Sequence, residues 1–176
     1  KEKFNADGTY QKLKARLVAA GNMQAQVEQV DVSAPTAAVT TLFTIAAIAA
    51  ANAHTVISVD ITGAYLNADI DEHLPMVLDK TTSRILVGMK PDLKKFLGLR
   101  GSIRVRLLKA LYGLKQSAKL WYHTLSRHLI RIGFQVNQQD TCLFWKGSVE
   151  HRVYVVVYVD DLLITGTTKS DLDDLV

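Results

Sequence analysis

The sequence predicts an α+β domain with hairpin-paired strands rather than a doubly wound parallel sheet. Strand-like and helix-like segments are interspersed along the chain. In "RVYVVVYVDDLLITG" two apolar runs flank a short turn, the mark of a hairpin. "TAAVTTLFTIAAIAAANA" and "AKLWYHTLSRHLIRIG" have the composition and spacing of helices. A chain of 176 residues, 48% hydrophobic and 22% charged, can bury one soluble core.

In chain order, "KLKARLVAAG" (residues 12–21) reads as a basic strand ending at a glycine. "TAAVTTLFTIAAIAAANA" is long and apolar enough for a buried helix. "TVISVD" is a β-branched strand that stops at Asp60. "ITGAYLNADIDE" turns at Gly63 and is expected to become helical. Residues 81–101, with Pro91, Gly98 and Gly101, read as loop. In "SIRVRLL", Ile103, Val105 and Leu107 alternate with Arg104 and Arg106, the period of a half-buried strand. Past the turn "YGLKQS", Trp121, Leu125, Leu129 and Ile132 recur at helical spacing. Arg127 and Arg131 share another face, and Gly133 is placed for a left-handed cap. "FQV" and "CLFW" are short strands before the hairpin. Near the end, Ser170 is a candidate N-cap for a last helix, with Asp173 and Asp174 on an exposed face.

The net charge of +4 says less than its distribution. Residues 84–119 hold ten basic side chains and one acid, Asp92, whereas five aspartates and one lysine follow from Asp160 onward. A basic segment with an acidic focus points to a polyanionic partner and a metal or cationic site. A solvated surface loop is the plainer reading of the basic run. One cysteine, Cys142, excludes an internal disulfide, fits a reducing compartment and reads as a core residue. The histidines lack zinc-site spacing, and Ser117 and Ser126 have no adjacent base. Trp121 and Trp145 read as packing residues, with Trp121 a candidate brace for the turn that carries Gly113. No apolar run reaches the roughly 18 residues of a membrane span, and no membrane partner is expected. The chain opens on Lys1 without a methionine, as a piece of a longer protein would.

Asp160 and Asp161 interrupt an otherwise apolar stretch, and a buried carboxylate without a partner costs several kcal/mol. At a hairpin tip the two acids would face a cleft instead of the core. A divalent cation would offset their repulsion, since oxygen ligands hold Mg²⁺. Asp60 also ends an apolar strand. If that strand pairs beside the hairpin, three carboxylates converge, and two metals ~3.5–4 Å apart could align an attacking and a leaving oxygen for phosphoryl transfer. An acid pair by itself is a weak signal, because a surface turn would also carry one.

Four blocks in order sharpen this. "KARLVAAG" resembles the KARLVARG block of the reverse transcriptases of copia-type LTR retrotransposons. "VDITGAYLN" is similar to their first catalytic-aspartate block, "LLKALYGLKQSAKLWY" to their most diagnostic one, and "YVDDLLITG" to their YVDD signature. The resemblance spans residues 12–166. It implies a right-hand polymerase fold with an antiparallel palm sheet and a catalytic β-hairpin packed on helices. Fingers, or the fingers/palm junction, would take about 1–59 and 102–123, and palm about 60–75 and 124–176. Thumb, connection and RNase H would lie outside the chain.

By the same resemblance, Asp60, Asp160 and Asp161 are the catalytic acids. They would ligate two Mg²⁺ ions, with Mn²⁺ a substitute, and the Ile61 carbonyl would assist. Arg16, and less directly Lys14, would clamp the triphosphate. Tyr65 would be the steric gate against a ribose 2′-hydroxyl, and Tyr112 and Gly113 would line the incoming nucleotide. Lys115, Gln116 and Tyr158 would touch template or primer. Implied partners are an RNA template, a DNA or RNA primer, deoxynucleoside triphosphates and the rest of a Pol polyprotein (thumb, RNase H, integrase). The implied setting is a cytoplasmic virus-like particle, with nuclear entry of the complex after import. Ala20 stands where the family has arginine and Ala118 where it has proline, so a catalytically inactive structural or RNA-binding module remains the alternative. A two-metal nuclease would share the acids but leave "LYGLKQS" unexplained.

Overall fold

The structure, a computed structural model, describes residues 2–24, 32–169 and 172. Strands β1 (Glu2–Phe4) and β2 (Tyr10–Leu13) form an exposed antiparallel hairpin. Helix α1 (Val39–Ala51) leads into β3 (Thr55–Asp60). Next come β4 (Asp69–Leu78), α2 (Lys80–Met89) and β5 (Ile103–Lys109), the two strands pairing as an antiparallel ribbon. Helix α3 (Ser117–Arg131) is followed by β6 (Gln135–Val136), β7 (Leu143–Gly147), β8 (Arg152–Tyr158) and β9 (Asp161–Gly166). With β3 these last four make one five-stranded sheet in the order β3-β9-β8-β7-β6, antiparallel at every step. The expected mixed α and β architecture with antiparallel strands is what forms. Among the described residues no helix is long and apolar enough to cross a membrane.

The hairpin β8–β9 is the centre of this sheet for a sequence reason. Val153, Val155, Val157, Leu162 and Ile164 alternate onto one face and are all buried. They join a core with Phe144, and with Trp121, Leu125 and Leu129 from one stripe of α3. Burying each large apolar side chain contributes roughly 1.5–3 kcal/mol, so the strands on both sides of the acids are strongly held. The opposite face is covered at one end by α1, whose Ile45 and Ala49 are buried, and its Asp60, Asp161 and Tyr158 end is exposed. Gly133 (φ 97°) closes α3 as expected: Phe134 N–H reaches the Leu129 carbonyl at 3.0 Å, and Gly133 N–H the Ile130 carbonyl at 3.0 Å.

Four local expectations are corrected. The strand expected over residues 12–21 ends at Leu13. Residues 14–20 join no sheet, and the Ala19 N–H donates to the Tyr112 carbonyl at 2.7 Å instead. The expected helix after Gly63 is a single 3₁₀ turn, Ala64–Asn67. Tertiary pairing overrides propensity there: Ala110 N–H donates to the Ala68 carbonyl at 2.8 Å, and Asp69 pairs with Lys109 to start β4. The expected loop over 81–101 contains α2, begun by Asp79, whose Oδ1 accepts the Thr82 N–H at 2.7 Å. A 3₁₀ turn with proline at its start, Pro91–Phe96, follows it. Helix α1 is buried on one side only, with Phe43 72% exposed. The expected cap at Ser170 and the Asp173–Asp174 face lie outside the described residues.

Candidate active site

Strand register sets the end of β3 beside the hairpin tip. Asp60, the last residue of β3, is the direct cross-strand partner of Asp161, the first of β9, and Asp161 also faces Tyr158 on β8. Directly opposed residues in an antiparallel pair share a face. Asp160 sits in the two-residue turn between β8 and β9, and its carbonyl accepts the Ile61 N–H at 2.8 Å. That bond ties the β3 exit to the hairpin tip.

Asp60 and Asp160 open into one cleft of about 490 Å³, lined also by Ile61, Thr62, Gly63, Leu66 and Tyr112. Its other wall is the arm formed by the β1–β2 hairpin and the segment behind it, which contributes Lys3, Lys12, Lys14 and Arg16. Lys3 and Lys12 are cross-strand partners on that hairpin. Like charges directly opposite destabilise a ladder, so this pair costs the isolated arm stability and suits a bound polyanion. Reading the sequence missed both lysines. The available signal was the hairpin turn "NADGT" between two lysine-bearing strands.

Behind the cleft, aromatic rings link the acid to the arm. The Tyr65 and Tyr112 rings meet at a 51° tilt with centroids 4.7 Å apart, and the Arg16 guanidinium lies 5.1 Å from the Tyr112 ring centroid. Burial, then the negative charge of Asp160, then Tyr112, raise the Tyr65 pKa above its ordinary 10.0. A tyrosine phenol is protonated near neutral pH in any case, and this shift keeps Tyr65 a donor. Gly113 (φ 91°) lets the loop meet the arm backbone to backbone: a β-carbon there would fall 2.1 Å from the Ala19 carbonyl oxygen. Gly21 faces it in the same way: a β-carbon at residue 21 would fall 1.9 Å from the Gly113 carbonyl oxygen.

The remaining candidates occupy other positions. Lys115 donates from its ammonium to the Gln24 carbonyl at 3.3 Å. Gln116 bridges Gln24 at 2.9 Å and Glu72 at 2.6 Å. Both therefore fasten the arm to the start of α3. Tyr158 is half exposed at the end of β8. The basic run splits up: Arg104 and Arg106 point outward from β5, Lys109 pairs with Asp69 at 2.7 Å, and none of its cations lines the cleft. Trp121 is buried in the core, as its reading as a packing residue expects. Its indole Nε1–H donates to the Val159 carbonyl at 2.6 Å, at the tip that carries Asp160. Cys142 is buried as expected, and burial followed by the nearby Asp140 charge pushes its thiol up to about 11.

The expected convergence of three carboxylates is corrected: Asp161 does not line the cleft that Asp60 and Asp160 share, and among the described residues no three His, Cys, Asp or Glu side chains form a metal cage. Mg²⁺ asks for less, because one or two carboxylates together with water and substrate phosphates suffice. Asp60 and Asp160 in one cleft, facing a cationic wall, fit that requirement. An antiparallel sheet presenting two acids opposite four cations makes a cleft suited to holding a polyphosphate beside a divalent ion.

The sequence model of the family described as Reverse transcriptase (RNA-dependent DNA polymerase) matches residues 1–176. The chain belongs to that family. It is 31% identical over 184 residues to the Retrovirus-related Pol polyprotein from transposon RE2 of Arabidopsis thaliana, covering 99% of this chain and 11% of the relative. The corresponding polyprotein from transposon RE1 of the same plant is 31% identical over 96% of the chain and 11% of the relative. That from transposon TNT 1-94 of Nicotiana tabacum is 28% identical over 97% of the chain and 12% of the relative. The chain thus spans about a ninth of the polyproteins it matches. No solved structure matches it. The resemblance drawn from the four motifs holds over nearly the whole chain.

Proposed function

We propose that the chain is the nucleotide-adding core of an RNA-directed DNA polymerase, extending a primer 3′-hydroxyl along an RNA template. In this reading the five-stranded sheet is the palm, and the β1–β2 arm with the segment behind it belongs to the fingers. The observation that carries it is the shared cleft: Asp60 and Asp160 on adjoining strand ends, opposite Lys3, Lys12, Lys14 and Arg16.

Asp60 and Asp160 would hold Mg²⁺ or Mn²⁺, with Asp161 and the Ile61 carbonyl alongside. The bound ions would activate the 3′-hydroxyl and offset charge on the departing pyrophosphate. Arg16 and the three lysines would bind the triphosphate oxygens, Arg16 by a bidentate fork already oriented on the Tyr112 face. Tyr65, packed against the Tyr112 ring, would occupy the space a ribose 2′-hydroxyl needs. Catalysis would come from positioning and fixed charge. Template, primer, deoxynucleotides and the other polyprotein segments are the partners this reading requires.

The test is primer extension on an RNA template with Mg²⁺. Asp160→Asn is expected to reduce single-nucleotide addition by at least about a thousandfold and to leave the urea unfolding midpoint within error. Equal activity in mutant and parent would remove Asp160 from the chemistry. A parent that binds RNA but adds no nucleotide would favour the inactive RNA-binding module.

A further inference from the structure

Among the described residues, Val159 and Ala53 are the non-glycine positions with positive φ. Val159, at φ 58°, is β-branched, which makes the left-handed region especially unfavourable. Two-residue hairpin turns that need positive φ ordinarily take Gly, Asn or Asp. Here a valine occupies the turn residue immediately before Asp160, so something outside the hairpin must hold it.

Trp121 does. It is 5% exposed on the buried stripe of α3, and its Nε1–H donates to the Val159 carbonyl at 2.6 Å. The first turn of α3 is itself fixed, because the buried Ser117 hydroxyl donates to the Leu111 carbonyl at 2.6 Å. The other turn carbonyl, that of Asp160, accepts from Ile61 N–H at 2.8 Å. Both carbonyls of the turn are therefore engaged by separate elements, α3 and the β3 exit.

We propose that Trp121 is a positioning residue: its indole N–H holds Val159 left-handed and thereby aims the Asp160 carboxylate into the cleft. Phenylalanine keeps an apolar ring in the core, though a smaller one, and lacks the N–H that reaches the carbonyl; the Val159→Gly rescue separates that loss from the lost volume. The consequence for catalysis rests on the polymerase reading, whereas the conformational statement stands without it.

The test uses the full chain with Trp121→Phe, Val159→Gly and the double variant. The backbone amide–Hα coupling at position 159 and the Asp160 and Asp161 amide shifts report the turn by NMR. Single-nucleotide extension reports kcat and KM. Trp121→Phe is expected to move Val159 out of the left-handed region and to lower kcat about tenfold at unchanged nucleotide KM. Adding Val159→Gly is expected to restore the Asp160 shifts and most of the rate, since glycine adopts that conformation without penalty. If Trp121→Phe alone fails to fold, a folded double variant supports the same conclusion and an equally unfolded one overturns it. A Trp121→Phe chain that keeps the left-handed signature overturns it, as does an equal loss of rate with and without Val159→Gly. If no chain, parent included, extends a primer with the other polyprotein segments supplied, the polymerase reading fails while the NMR comparison still decides the role of Trp121.

Discussion

At Gly113 the loop before α3 and the segment behind the β1–β2 arm touch through their main chains. Gly113 combines positive φ with a carbonyl oxygen where a β-carbon would stand, so alanine meets two obstacles at once. Gly113→Ala is expected to cost at least about 2 kcal/mol, read as a lower urea midpoint, and to loosen the cationic wall. A midpoint unchanged from the parent would show that the crossing adapts. At this scale the sequence was informative where residue type carries chemistry. The motifs single out Asp60, Asp160, Tyr65 and Arg16; Asp60, Asp160 and Arg16 share the cleft, and Tyr65 meets Arg16 through the Tyr112 ring. It was silent on Lys3 and Lys12, because their place in the cleft depends on how the hairpin is carried over the sheet. It places Trp121 in the core but does not show its indole partner, which lies 38 residues further along.

Helix α1 shows an element stabilised from a distance. Its N-cap, Ala38, offers no side-chain acceptor. The Asp140 carboxylate serves instead, accepting the Ala38 N–H at 3.0 Å and the Thr41 hydroxyl at 2.6 Å through one oxygen and the Cys142 N–H at 2.9 Å through the other. Burial by itself would raise the Asp140 pKa, but the bonds from Thr41, Ala38 and Cys142 outweigh it, and the net shift is downward from 3.8. With the folded value below the unfolded one, the contribution is fully present above the ordinary carboxylate pKa and is lost as pH falls through the lowered one. Asp140→Ala is expected to cost about 1–2 kcal/mol at neutral pH. The gap between mutant and parent should narrow in urea titrations taken at progressively lower pH below 3.8. A gap independent of pH would mean that the carboxylate charge is not involved. Elements with an unbroken period, such as α3 and β5, were legible in the sequence. β4 was not, because its register shifts between Asp69 and Leu74, where Asp71, Glu72 and His73 break the alternation. α2 was hidden because its start depends on the cap at Asp79 rather than on a long apolar stripe.

Across the molecule, burial is divided unevenly. β8 and β9 carry most of the buried strand residues, whereas every residue of β1 and β2 is exposed. Free energies of local opening follow buried contacts. In hydrogen exchange, amides of Val155, Val157 and Ile164 should therefore exchange only with global unfolding. Those of Lys3 and Lys12 should exchange orders of magnitude faster through opening of the arm. Equal protection in both regions would contradict this division and imply that the arm is as firmly held as the sheet.

The pairing of β3 with β9 has a consequence for biosynthesis. The Thr165 hydroxyl reaches the Thr55 carbonyl across 110 residues of chain. At ~5–20 residues per second, the strand bearing Asp60 leaves the ribosome some 5–20 s before its neighbour exists. Throughout that interval β3 is an unpartnered apolar edge, and the nascent chain has half of an acid constellation and no cleft. Translation of the Asp160–Asp161 turn is thus the event that converts a waiting strand into a site.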